Sequence, residues 1–138
     1  MKILTSALVL SALFLFLHLE ASANAWYFYF WWFDILMHFM GGLILGLLLF
    51  WIATRIGHRG SDRALFLKVL VVVLVIAVGW EVFEYMHDIY GKGNYVLDTT
   101  GDIIMAVIGM YIRGKIVLRA NCSLAPSTEV LKKPQIQR

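Results

Sequence analysis

Residues 26–54 read WYFYFWWFDILMHFMGGLILGLLLFWIAT and carry one formal charge, Asp34. A hydrocarbon layer of about 30 Å needs about 20 helical residues, so this run is long enough to cross it. Its first eight residues, Trp26 to Phe33, are all aromatic. Such rings favour the headgroup region and predict an interfacial belt at one end of the span. Trp51 and Tyr111 are candidates for the opposite interface. Gly41, Gly42 and Gly46 follow on the same helix, and small residues at that spacing allow a neighbouring helix to approach closely. They predict tight helix packing, and they would also permit self-association into a homo-oligomer.

Working outward, three more stretches have the same character. Residues 3–19 are apolar apart from small hydroxyls and His18, residues 64–88 hold Lys68, Glu81, Glu84 and, at the end, Asp88, and residues 97–118 hold Asp98, Asp102, Arg113 and Lys115. The 138-residue chain is 61% hydrophobic and 15% charged. A soluble domain usually carries about 25% charged residues. A chain this short cannot hide so much apolar surface in a water-soluble core, so lipid must be part of its solvent. The expectation is an all-α integral membrane bundle of about four transmembrane helices over residues 1–118, followed by a polar cytoplasmic tail over 119–138. Pro126 and Pro134 in that tail, with its polar composition, predict disorder. Cys122, the single cysteine, excludes an internal disulfide.

The first stretch admits two readings. Lys2, the apolar run and Ala23-Asn24-Ala25 form a signal-peptide pattern with an Ala-x-Ala cleavage site. The length of the run, and the span that follows at once, favour a retained helix. Orientation comes out the same either way. Basic residues gather at Arg55, His58, Arg59, Arg63 and Lys68, and again from Arg113 to Arg138. Cytoplasmic loops attract lysine and arginine, so both regions are predicted cytoplasmic. With four spans, both termini are then inside, as expected of a multi-pass protein of the cell inner (cytoplasmic) membrane. The net charge of +3 is this topological signal. It is not a nucleic-acid patch, so membrane lipids are the expected partners and nucleic acid is not.

Ionisable residues within spans are costly and call for a reason. Asp34 and His38 are four apart, Glu81 and Glu84 three apart, and Asp98 and Asp102 four apart, so each pair shares one helix face. At a rise of about 1.5 Å per residue, all three pairs fall in the same outer half of the bilayer. They should face one another, with Asp88 one turn beyond Glu84 and with His18, His87 and Lys92 near the outer surface. The cluster has five carboxylates, one histidine and no lysine or arginine. Carboxylates in a low-dielectric site cannot all stay ionised without compensation, so either some are protonated or a cation is bound. Oxygen ligands with one imidazole suit zinc, manganese or iron, and magnesium less well. Asp34, His38, Glu81, Glu84, Asp98 and Asp102 are the candidate metal ligands, with Glu81 and Glu84 the candidate general bases of any metal-assisted reaction. The plainer alternative is interhelical glue, in which these acids bond to Trp80, Tyr85, Thr99 or Thr100.

Three segments resemble a known family. Asp34 to Gly42 is similar to its D-x-x-x-H-x-x-G-G helix start, Trp80 to Glu84 to its W-E-x-x-E segment, and Asp98 to Asp102, with Gly109 beyond, to its D-T-x-x-D helix. Across about residues 30–112 the chain resembles the VanZ-like superfamily and related uncharacterised small bacterial inner-membrane proteins. The resemblance implies a helical inner-membrane protein with an outward-facing polar site, and the superfamily is associated with low-level glycopeptide resistance. Ala106 stands where such sequences often have asparagine, which weakens transfer of that role. Three functions follow as expectations. The first is binding of a cation or a lipid-linked envelope component. The second is a metal-dependent hydrolase or transferase acting on lipid, and the third a structural or transport subunit working as an oligomer.

Overall fold

A computed structural model describes residues 2–57, 60–87 and 94–123, with backbone only for residue 2 and for 113–123. The chain forms helices α1 (Lys2–Ala23), α2 (Trp26–Tyr29), α3 (Trp31–Arg55), α4 (Asp62–Met86) and α5 (Tyr95–Ser123), with no strand among the described residues. Four stretches are long and apolar enough to cross a membrane: Ile3–Ala23, Trp31–Arg55, Asp62–Met86 and Tyr95–Ile112. The protein is an all-α membrane helical bundle. His58, Arg59, Asp88, Lys92, residues 124–138 and the side chains of Arg113, Lys115, Arg119 and Cys122 lie outside the described residues.

Local chemistry sets the helix ends. Ser61 caps α4 by accepting from the Ala64 N–H at 3.2 Å, and Asp62 places a negative charge in the first turn. Asn94 opens α5 by accepting from Val96 N–H at 3.1 Å. Gly57 turns the chain beyond α3 with φ of 68°, a conformation glycine adopts without steric cost. Between α1 and α2 the turn falls on Ala25, whose φ of 54° is unusual for a residue with a Cβ. One expected span is divided. Residues 26–54 are not one helix, because Phe30 is extended (φ −120°, ψ 92°) and separates a single turn, α2, from α3. The rings explain the break: Trp26 and Tyr27 fold back edge-on against Phe33, with centroids 5.6 and 5.1 Å away. A continuous helix would hold them about 9–10 Å from Phe33 along its axis, too far apart for that contact.

Helix α3 is the hub. It packs most extensively against α5, then against α1 and α4. Lipid provides no hydrophobic drive for helices to associate, so close van der Waals contact has to supply it. A Cβ on Gly42 would strike the carbonyl oxygen of Ala106, and one on Gly46 would stand 3.1 Å from the Met110 Cα. From the other side, a Cβ on Gly109 would strike the Phe39 carbonyl oxygen and come within 2.8 Å of the Leu43 nitrogen. Positions rise together along both helices, so α3 and α5 run parallel. Around this seam Phe50, Val69, Val73, Ala77, Ala106 and Met110 form the main core. A smaller core of Ala21, Phe33 and Met37 ties α1 to the start of α3. Outward residues such as Leu8, Phe16, Val71, Val75 and Val82 are exposed to the bilayer.

The glycine stripe is therefore spent within the chain. Gly42 and Gly46 are covered by α5 and offer no surface for self-association, whereas Gly41 meets open space. Gly42→Ala should destabilise the detergent-solubilised protein by about 1–3 kcal/mol, because backbone atoms must part to admit the methyl group. Gly41→Ala should cost nothing and gain up to about 1 kcal/mol of helix propensity. Thermal unfolding of the two variants side by side checks this.

Candidate metal centre

Parallel α3 and α5, with α4 antiparallel between their connections, bring three helix ends to one level. Asp34 and His38 occupy the first turns of α3, Glu81 and Glu84 the last turns of α4, and Asp98 and Asp102 the first turns of α5. Glu81, Glu84 and Asp102 are buried, at 4%, 8% and 1% exposure. Their helices bury them because the alternative face meets lipid, where a carboxylate finds no partner.

His38 is the centre of the arrangement. Its Nε2 lies 3.7 Å from Asp34 Oδ1 and 3.6 Å from Glu81 Oε1. Both separations are too long for a hydrogen bond, which spans about 2.7–3.2 Å. They suit two ligands of one ion instead. Atoms each about 2.1 Å from a metal at a tetrahedral angle stand about 3.4 Å apart. Potential ligand atoms of Asp34, His38 and Asp102 all lie within 4.8 Å of one another, and so do those of His38, Glu81 and Glu84. Asp98 belongs to neither triad and is half-buried at the margin. The expected six thus converge as five inner residues and one peripheral carboxylate.

Some of the polar atoms are satisfied by neighbouring side chains. Trp80 Nε1–H donates to Glu84 Oε1 at 2.8 Å, and the Thr99 hydroxyl donates to Glu81 Oε2 at 2.7 Å. Both donors were anticipated as partners for buried acids. Thr100 instead donates to the Val96 carbonyl at 2.6 Å. Two carboxylate oxygens remain. Glu81 Oε1 and Asp102 Oδ1 are buried and have no hydrogen-bond partner among the described residues. Nor does any lysine or arginine among the described residues form an ion pair with the cluster.

Residues the sequence did not mark also shape the centre. The Tyr95 hydroxyl donates to the Glu81 carbonyl at 3.1 Å and ties α5 to α4. Its signal was its place three residues before Asp98, on the same helix face. Tyr27, on α2, lies near enough for the charges of Asp34 and Glu84 to act on it. Burial first, then those charges, push its phenol up to about 12, so it stays a neutral hydroxyl. Its partner is His18, whose Nδ1 is 2.8 Å from the hydroxyl. His18 therefore stands behind Tyr27 and outside both triads. His87 is exposed and donates from Nδ1 to the Phe83 carbonyl at 2.8 Å, away from the cluster.

Comparison of the chain with the curated proteins and with the solved structures gives no match. A family model described as "Predicted membrane protein (DUF2238)" matches residues 1–120. That span takes in every candidate ligand and all of the helices that carry them but the last three residues of α5. With its membrane portion matched throughout, the chain belongs to this family of predicted membrane proteins.

Proposed function

We propose that this protein binds a divalent cation at the Asp34, His38, Glu81, Glu84 and Asp102 cluster, on the outer side of the cell inner membrane. The observation that carries the reading is the pair of buried, partnerless oxygens, Glu81 Oε1 and Asp102 Oδ1, beside His38. Interhelical glue would leave neither, since a buried acceptor without a partner costs about 1–3 kcal/mol, and more when charged. The donor set of carboxylates and one imidazole favours zinc, manganese or iron over magnesium. Orientation rests on the two ends of the bundle. The cluster lies at one end, and Arg55 of α3 and Arg63 of α4 lie at the other. Basic residues favour the cytoplasmic side, which puts both termini inside and the cluster outside. The likeness to the VanZ-like superfamily is supported by the order of its three motifs along α3, α4 and α5, and it adds no chemistry to this reading.

A second reading makes the cation catalytic, in a hydrolase or transferase that acts on a lipid or a lipid-linked envelope component. One observation favours it. Trp80 is 46% exposed on the outside of the bundle while its indole N–H holds Glu84, so the cluster communicates with the bilayer through one side chain. Glu81 or Glu84 would then serve as general base toward a metal-bound water. A transport or structural oligomer has less support, because two of the three glycines that suggested self-association, Gly42 and Gly46, are covered by α5.

In detergent, addition of zinc or manganese should raise the Tm of the native protein by about 5 °C or more, and a chelator should reverse it. The combined His38→Ala and Glu81→Gln variant should show no such shift. A native protein indifferent to every divalent ion tested would remove the cation reading. For orientation, a fluorescent protein fused to the C-terminus should fluoresce, and alkaline phosphatase fused there should be inactive. The opposite pair of results would invert the topology.

A further inference from the structure

The candidate ligands do not form one shell. They divide into Asp34, His38 and Asp102 between α3 and α5, and His38, Glu81 and Glu84 between α3 and α4. Each triad contains one of the two residues with a partnerless buried oxygen, Asp102 (Oδ1) in the first and Glu81 (Oε1) in the second. A single ion placed in either triad reaches only one of these two residues and leaves the other without a partner for its buried oxygen. We propose that the centre holds two divalent cations in adjacent positions, one between α3 and α5 and one between α3 and α4, meeting at His38. This rests on the cation reading above and adds its stoichiometry.

Charge points the same way. Asp34, Glu81, Glu84, Asp98 and Asp102 together offer five negative charges. One divalent ion leaves three of them unbalanced in a low-dielectric setting, whereas two ions leave one, and Asp98 at the margin can keep that one in contact with water. Ligation is also feasible. A neutral imidazole has one free lone pair, so His38 serves one ion only. Asp34 and Glu81 each have two oxygens and approach the same ring nitrogen to 3.7 and 3.6 Å. Either can bridge to the second ion. Carboxylate-bridged pairs of this kind hold their metals about 3.5–4 Å apart, and helical bundles build them from acidic and histidine side chains on facing helices.

The test is metal stoichiometry in the detergent-solubilised full chain, loaded with manganese, freed of excess and measured by elemental mass spectrometry. The native protein should carry two ions per chain, and Asp102→Asn and Glu84→Gln should each carry one. Electron paramagnetic resonance of the manganese-loaded native protein should show an exchange-coupled pair, a readout that does not depend on any variant folding. One ion per chain with an isolated six-line spectrum would overturn the two-ion proposal and leave the single-cation reading standing. No bound ion in a protein that still unfolds cooperatively would overturn both.

Discussion

Lipid gives two apolar helices no reason to prefer each other, and α3 and α5 are held together by how closely their backbones can approach. Gly42 and Gly46 on one helix and Gly109 on the other remove the side chains that would keep them apart. This contact fixes their axial register, and the register decides what happens several residues away. With Gly42 against Ala106, the residues one turn earlier on each helix are His38 and Asp102, which meet in the cluster. The polar centre is thus a consequence of a seam that has no polar side chain of its own. Ala106 is part of that seam. It is buried, with its carbonyl against Gly42, so its small side chain is explained by packing.

Within the centre, hydrogen bonds and ligand geometry can be separated atom by atom. Glu84 and Glu81 each give one oxygen to a side-chain donor, Trp80 and Thr99 respectively, which fixes the rotamer of each carboxylate. The second oxygen of Glu81 is then aimed at His38. Pre-set carboxylates of this sort hold a cation at lower entropic cost than free ones. Thr99 and Trp80 so act on the centre without entering it, and Tyr95 does the same through the backbone of Glu81.

Most of the architecture was legible in the sequence because lipid imposes simple rules. Long apolar runs must be helices, and charged residues within them must face inward. The spacings 34/38 and 81/84 accordingly marked faces that meet, and of the 98/102 pair Asp102 meets them while Asp98 stays at the margin. The break at Phe30 was not legible, since hydropathy does not register that Trp26 and Tyr27 gain more by turning back onto Phe33. Nor could spacing tell Gly41 from Gly42. Adjacent positions on a helix point about 100° apart, and only the partner's location shows which one is crowded. The division of the candidate ligands into two triads was equally hidden, because it depends on which side chains of α4 and α5 come within reach of His38 and of one another.

The order of helices along the chain has a consequence for biogenesis. The principal neighbour of α3 is α5, which emerges only after α4, whereas contact between α3 and α4 is slight. During synthesis α3 therefore enters the membrane with its glycine face and the Asp34–His38 face uncovered. The glycine face cannot be buried until α5 arrives, and before then the polar face meets only Glu81 and Glu84 of α4. The polar residues that make α3 costly to insert thus gain their full set of neighbours only when α5 brings Asp102 to them.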